Sequence, residues 1–272
     1  MDTELKPGLY IVPTPIGNLK DITLRAIDYL KSCDEIYCED TRVTGQLLQA
    51  YVIKKPLFTY HEHNAPKSRE QILEKITFGK SICLVSDAGM PLISDPGYKL
   101  IRELQVRGLF FTALPGPCAA ISALCLSGMP TNQFFFAGFY ESKAAKNLRN
   151  VPATLIFYES ARRVIKTLES MSQIFSNRQV VVVREISKIY EESIFGTFEE
   201  VSQSLISREA IRGEIVMALS PPKEEEMAVD AISAQITELL KTNSLKDVSI
   251  MISEIHGITK KQAYALALAK KE

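Results

Sequence analysis

Strand-like and helix-like segments alternate along the first 113 residues, and that alternation leaves the chain few architectures. Apolar runs at residues 9–13, 34–38, 57–60, 81–85 and 109–113 are separated by segments at 22–31, 44–52, 66–77 and 98–106 with apolar residues near helical spacing. Strands joined through helices run parallel, and a parallel sheet is covered by helices on both faces. The spacing therefore predicts an α/β fold opening on a parallel N-terminal sheet. Thr44 is the expected N-cap of the segment 44–52, and Gly108 closes the helix 98–106.

The pattern changes after Pro130. Strands are expected at 134–137, 154–158, 179–183, 189–195 and 214–219, with helices at 162–171 and 198–206 between them. Four consecutive valines, 180–183, suit a strand buried on both faces. Residues 187–196 read as the second arm of a hairpin, so this sheet mixes parallel and antiparallel strands. Pro221-Pro222-Lys223-Glu224-Glu225-Glu226 is stiff, charged and without apolar content, which marks a boundary. Helical patterns at 229–240, 245–255 and 260–270 follow it, the last capped by Thr259. The predicted division is an α/β domain at 1–117, a second α/β domain at 118–222 and a helical extension at 223–272. The last two helices flank the turn His256-Gly257-Ile258. They read either as a nucleic-acid-binding helix-turn-helix or as a hairpin docked on its own protein or on a second subunit.

A chain of 272 residues, 46% hydrophobic and 24% charged, can bury a large core. Lys plus Arg and Asp plus Glu both count 32, so any nucleic-acid site has to be a local basic patch. The polar, acidic start Met1-Asp2-Thr3-Glu4-Leu5-Lys6 lacks the basic and apolar regions of a signal peptide. No apolar run approaches the roughly 20 residues of a membrane helix. The five cysteines form no CxxC pair, and they are expected to be reduced thiols of a cytoplasmic protein.

Several nucleotide and metal signatures fail. Gly79-Lys80-Ser81 mimics the end of a phosphate-binding loop, but Glu74 stands where its first glycine belongs, and the segment precedes a strand instead of following one. No G-x-G-x-x-G follows the first strand. His61 and His63 flank Glu62 on one side of an extended segment, yet no third ligand is near in sequence, and no metal is expected.

Four segments share another chemistry: residues 13–18, 86–97, 114–119 and 157–160. The first three follow the C-terminal ends of parallel strands, where ligands bind in such sheets. They are rich in glycine and proline, which bring a rigid main chain close to a ligand. Small side chains and free amides suit a flat or zwitterionic ligand better than a metal or a polyphosphate.

The order TPIGNLKDITLRA, EDTR, HEHN, LVSDAG-P-ISDPG, LPGP, LIFYES--R, RE--K-YEE---G and GE, spread over residues 8–219, resembles the tetrapyrrole-methylase superfamily. It is most similar to the branch that methylates small-subunit ribosomal RNA. The resemblance implies two α/β domains, S-adenosylmethionine in the cleft between them and a homodimer. It also implies 2′-O-methylation of a cytidine in the decoding region of 16S rRNA within the small ribosomal subunit. Carried over by position, Pro15 and Gly17 lie by the cofactor, Asp87, Ala88 and Gly89 meet its methionine moiety, and Cys118 and Ala119 flank it. Tyr158, Gly213 and Glu214 lie near the adenine. Met90 is a departure, since threonine is commoner there.

A ribose hydroxyl needs a base or a polarising group. His61, Glu62, Asn64, Glu185 and Lys188 remain candidates, with Lys188 requiring a depressed pKa. Glu185 or Glu191 is alternatively a structural partner of Arg184 or Arg42. The cations available for RNA are Arg42, Lys143, Lys146, Arg149, Arg162 and Arg163, and Phe139 or Tyr140 is available for stacking on a base. Two alternatives remain open: a small-molecule methylase of the same fold acting on a tetrapyrrole, and a non-catalytic, cofactor-sensing RNA-binding protein.

Overall fold

The computed structural model describes residues 4–222 and 224–270. The first sheet has five parallel strands, β1 (Gly8–Ile11), β2 (Glu35–Cys38), β3 (Leu57–Thr59), β4 (Ser81–Leu84) and β5 (Phe111–Ala113), in the order β3-β2-β4-β1-β5. Helices α1 (Leu24–Ser32), α2 (Thr41–Ala50), α3 (Ala65–Thr77) and α4 (Tyr98–Arg107) connect them. Alternation along β1 builds both faces at once: Leu9 and Ile11 pack into one apolar cluster, Tyr10 and Val12 into the other. Asp40 and not Thr44 caps α2, accepting from Arg42 N, while Thr44 is buried within the helix. Gly108 closes α4 in the left-handed conformation as expected.

A helix that the spacing did not announce, α5 (Ala119–Leu126), leads to the second sheet. It is apolar all round, so no amphipathic period marked it. The second sheet holds β6 (Phe134–Phe139), β7 (Thr154–Ser160), β8 (Val180–Arg184), β9 (Glu192–Gly196) and β10 (Glu214–Leu219), in the order β6-β7-β10-β8-β9. β6 and β7 are parallel and the remaining pairs antiparallel. Helices α6 (Ser142–Ala145), α7 (Val164–Ile174) and α8 (Phe198–Ile206) complete this half. Val180 and Val182 join the cluster beneath α7 and α8, and Val181 and Val183 join the one beneath α5. The valine run is thus buried on both faces, as its composition predicts.

The tail forms α9 (Glu224–Leu239), α10 (Leu245–His256) and α11 (Lys260–Leu268) around its own apolar cluster, which includes Ile236, Val248, Ile252 and Ala263. Of the expected boundary at 221–226, Lys223 lies outside the described residues, and Glu224 already opens α9. Met1, Asp2 and Thr3 of the acidic start also lie outside them. No described helix is long and apolar enough to cross a membrane.

Candidate active site

β4, β1 and β5 are neighbours, with Ile11 level with both Leu84 and Ala113. Their three following loops leave one edge of the sheet together. The first two are stapled: Thr14 N donates to Gly89 O at 2.9 Å and Gly89 N to Thr14 O at 3.1 Å. Thr14 Oγ1 donates to Ser86 O at 3.0 Å, and Ser86 Oγ to Gly89 O at 2.9 Å. Gly89 has φ 83°, and a Cβ there would meet Ile16 at 3.1 Å. A Cβ on Gly116 would meet Pro13 at 2.7 Å, so the third loop packs on the first. Leu92 and Ser94 hold φ of 73° and 70°, which side-chain-bearing residues seldom adopt.

These loops and the second sheet enclose a cavity of about 300 Å³. Ile16, Met90 and Ile93 face it from the first half, and Tyr158, Ile186 and Val216 from the second. Its ionisable carboxylates are Asp87, Asp95, Glu159 and Glu214, and among the described residues no Lys, Arg or His lines it. Glu159 is spent structurally, accepting from Ser160 N at 2.6 Å, Arg163 Nε at 2.8 Å and Thr167 Oγ1 at 2.5 Å. Asp87 Oδ1 accepts from Asp40 N at 3.0 Å, which ties the loop to the end of β2. Burial, with the Cys118 and Asp95 charges, pushes the Tyr158 phenol up to about 12, against a hydrogen bond from the Ala120 backbone. Cys118 precedes α5 without a side-chain cap, so apart from the Ala120 amide directed at the Tyr158 oxygen the amides at that helix start are not consumed by a capping group.

Asp87, Ala88, Gly89, Cys118, Ala119, Tyr158 and Glu214, all expected near a cofactor, line this cavity. Pro15, Gly17 and Gly213 do not. The two glycines serve a turn behind it. A Cβ on Gly17 would meet Lys188 Cγ at 2.5 Å, and one on Gly213, where φ is 92°, would strike Glu185. Residues 157–160, grouped from sequence with the three glycine- and proline-rich segments, are the end of β7. Met90, the departure from the family pattern, adds apolar wall to the cavity and packs on the first sheet. Asp95 went unremarked in sequence, although it stands in the segment 86–97 that drew attention for its glycines and prolines.

A second, larger groove of about 730 Å³ adjoins the cavity, sharing Ser94, Asp95 and Phe139 with it. Glu39, Glu62, Arg69, Tyr98 and Lys99 lie along it. Tyr98 and Phe139 are 66% and 55% exposed. Tyr140 is buried instead, its hydroxyl 2.7 Å from Ser170 Oγ, and is unavailable for stacking. Burial, reinforced by the charges of Glu39 and Asp87, raises the Asp95 carboxyl to about 6.

The expected bases are dispersed. Glu62 lies along the groove, whereas His61, Asn64, Glu185 and Lys188 line neither space. Asn64 holds its own loop, accepting from His61 N at 2.9 Å and donating to Thr59 O at 3.0 Å. His61 and His63 pack edge to face with centroids 6.0 Å apart. Lys188 donates to Glu185 at 2.8 Å and to Glu214 at 3.0 Å. Burial lowers its pKa, but the two carboxylates outweigh burial and leave it raised, the opposite of what a lysine base requires. Hydrogen bonds from Lys188 and from Glu214 N hold Glu185 below the usual carboxylate range. The pairings expected of Glu185 and Glu191 are also different: Arg184 pairs with Glu192 at 3.0 Å, and Arg42 with Asp40 at 2.6 Å.

None of the expected RNA-binding cations lines either space. Arg163 pairs with Glu159 at 2.8 Å. Lys143, Lys146, Arg149 and Arg162 are exposed on the second half. The cations at the groove are Arg69, 2.6 Å from Glu103, and Lys99, which spacing alone did not single out. Among the described residues no group of three or more His, Cys, Asp or Glu side chains converges as metal ligands.

Residues 8–202 match the family model of tetrapyrrole (corrin/porphyrin) methylases. The chain is 46% identical to the ribosomal RNA small subunit methyltransferase I of Rickettsia prowazekii (strain Madrid E), over 79% of each chain. It is 40% identical to the protein of the same name from Haemophilus influenzae (strain ATCC 51907 / DSM 11121 / KW20 / Rd), over 99% of each. Its fold is similar to that of uroporphyrin-III C-methyl transferase from Thermus thermophilus, solved in complex with S-adenyl homocysteine, with a TM-score of 0.55 and 15% identity over 78% of this chain and 97% of that one.

Proposed function

The chain belongs to the tetrapyrrole (corrin/porphyrin) methylase family, and on that premise we propose that it uses S-adenosylmethionine to methylate the ribose 2′-oxygen of a cytidine in the decoding region of 16S ribosomal RNA. The observation that carries this reading is the character of the cavity, apolar, bordered by carboxylates and, among the described residues, without cations. Such a lining disfavours polyphosphates and favours a ligand with a positive sulfonium and a flat heterocycle. After transfer the ligand has lost its positive charge, so the same carboxylates hold the product less strongly. The relatives' names point to RNA as acceptor. The small ribosomal subunit and a second copy of this chain are then its partners, in the cytoplasm.

The residues present fit the methyl donor. The Asp87–Gly89 segment and the uncapped start of α5 at Cys118 and Ala119 offer a carboxylate and main-chain amides for an amino-acid moiety. Ile186, Val216 and Tyr158 offer apolar surface for an adenine. When bound, S-adenosylmethionine supplies a methyl group activated by its positively charged sulfur. The chain's own task is alignment, because in-line displacement requires the acceptor oxygen roughly 3 Å from the methyl carbon. The groove supplies the approach: Tyr98 and Phe139 are exposed rings on which an unstacked base can lie. The staple between Thr14 and Gly89 fixes the cavity's wall, so that little reorganisation accompanies binding.

The test is transfer of labelled methyl from S-adenosylmethionine to small subunits from cells lacking this gene, followed by alkaline digestion. A methylated 2′-oxygen cannot attack the neighbouring phosphate, so label is expected in an alkali-resistant dinucleotide. Absence of label, with a preparation that binds the donor, overturns the reading and turns the search to a macrocyclic acceptor or a non-catalytic role.

A further inference from the structure

We propose that Asp95 takes the proton from the acceptor hydroxyl during methyl transfer, an inference that rests on the function proposed above. Position is the first argument. Cavity and groove share Ser94, Asp95 and Phe139, and of these Asp95 carries the ionisable side chain. An acceptor arriving through the groove meets a methyl donor held in the cavity where the two spaces join.

Availability is the second argument. Glu159 is committed to Ser160, Arg163 and Thr167, Asp87 to Asp40 N, and Glu214 to Lys188. Among the described residues none donates a hydrogen bond to the Asp95 carboxylate and none forms an ion pair with it. It is a half-buried acceptor facing two open spaces. Its loop is also held rigidly. Pro91 and Pro96 bracket it, Leu92 and Ser94 keep left-handed backbone, and a Cβ on Gly97 would meet Leu92 at 3.1 Å. Such strain persists only where the surroundings over-determine it, and it gathers at functional sites.

The chemistry agrees. Glu39 from the end of β2 and Asp87 from the loop after β4 face Asp95 with like charge, and Tyr158 approaches from β7. Across the groove stand Glu62 and Arg69 near the start of α3, and Lys99 on α4. With its carboxyl at about 6, Asp95 is ionised at neutral pH and still basic enough to receive a proton. In the step, the 2′-oxygen bonds to the methyl carbon as the carbon–sulfur bond breaks. The electron pair of that bond stays on sulfur, and the hydroxyl proton passes to Asp95, which releases it to solvent through the groove.

The experiment is single-turnover methylation of small subunits between pH 5 and pH 9 by wild type, Asp95→Asn and Glu39→Gln, with donor affinity measured by calorimetry. The wild-type rate should fall on an acid limb near pH 6. Asp95→Asn should lose about 100-fold or more of the rate and keep the wild-type affinity for S-adenosylmethionine. Glu39→Gln, which removes a neighbouring negative charge, should move the limb to lower pH. Folding gives an independent readout. A carboxyl raised from about 3.9 unfolded to about 6 folded adds stability below pH 4 that is lost as the pH rises through 6. The asparagine variant should therefore melt above wild type at pH 8 and lose that advantage at pH 4. A rate flat through pH 6, a limb unmoved in Glu39→Gln, a fully active Asp95→Asn or one that loses donor binding along with rate each overturns the proposal while the function stands. Wild type that methylates no RNA 2′-oxygen removes the functional reading itself.

Discussion

Arg178 shows how one residue can organise a region far from any chemistry. Its side chain is 4% exposed, and its guanidinium donates to five backbone carbonyls: Ala153, Ser220, Leu148, Arg149 and Val151. Burial pulls its pKa down to about 10, so it remains charged at neutral pH. The fork joins the loop before β7 to the end of β10, beside the first valine of β8. Arg178→Met takes the guanidinium from all five carbonyls, of which Leu148 and Val151 keep a backbone donor, and it should cost about 3–5 kcal/mol. Urea unfolding at pH 7 measures this, and Arg178→Lys should recover only part, because one ammonium cannot span five acceptors. A loss under 1 kcal/mol in the methionine variant would show that the carbonyls find water instead. Nothing in sequence marks Arg178, since its partners are backbone atoms brought together by the sheet. Asp95 escaped notice for a related reason: its meaning comes from Glu39 and Asp87, which are distant along the chain and near in space.

Elements were more legible than residues, and their caps explain where reading succeeded. Thr197 opens α8 with a capping box, accepting from Glu200 N while Glu200 accepts from Thr197 N at 2.8 Å. The helix accordingly begins where the apolar spacing put it. Thr197→Ala should cost about 1 kcal/mol, read as a drop of about 2–4 °C in the thermal midpoint if the chain unfolds in one step. An unchanged midpoint would mean that packing of Phe198 and Val201 holds the helix start unaided. The parallel first sheet, the mixed second sheet and the valine strand were all readable, because strands alternating with helices and unbroken apolar runs mark sheets buried on both faces. α5 was not, because an all-apolar helix has no polar face. Asp40 rather than Thr44 caps α2 because Asp40 ends the extended segment after β2, a turn that period counting does not see. Within the site, the glycine and proline loops were legible as main chain close to a ligand. The side chains across from them, such as Ile186 and Val216, belong to the other sheet and looked like ordinary core.

At the scale of the whole molecule, charge and the tail decide how RNA is held. The two halves touch behind the cavity, where Asp21 accepts from Ser187 and Gly17 lies under Lys188. The tail has its own apolar cluster, so a chain ending at Pro222 should keep its affinity for S-adenosylmethionine, with calorimetry as the check. Weakened donor binding would show that the tail supports the cavity. RNA affinity is a separate matter. The formal net charge is zero, so attraction to a polyanion has to come from local cations. Lys143, Lys146 and Arg149 are exposed together on the short helical segment after Phe139 and Tyr140, and Phe139 itself borders both cavity and groove. RNA whose base lies against Phe139 can run its backbone along that segment. Each phosphate contact contributes about 0.7 to the slope of log affinity against log salt on single strands. Replacing all three residues with alanine should lower the magnitude of that slope by about 2, weaken RNA binding most at low salt and leave donor affinity unchanged. Filter binding across a salt series separates the outcomes. An unchanged slope would mean that RNA approaches from another side, with Arg69 and Lys99 as the next cations to test. Equal loss of RNA and donor affinity would mean that the segment supports the fold of the second half instead of touching phosphate.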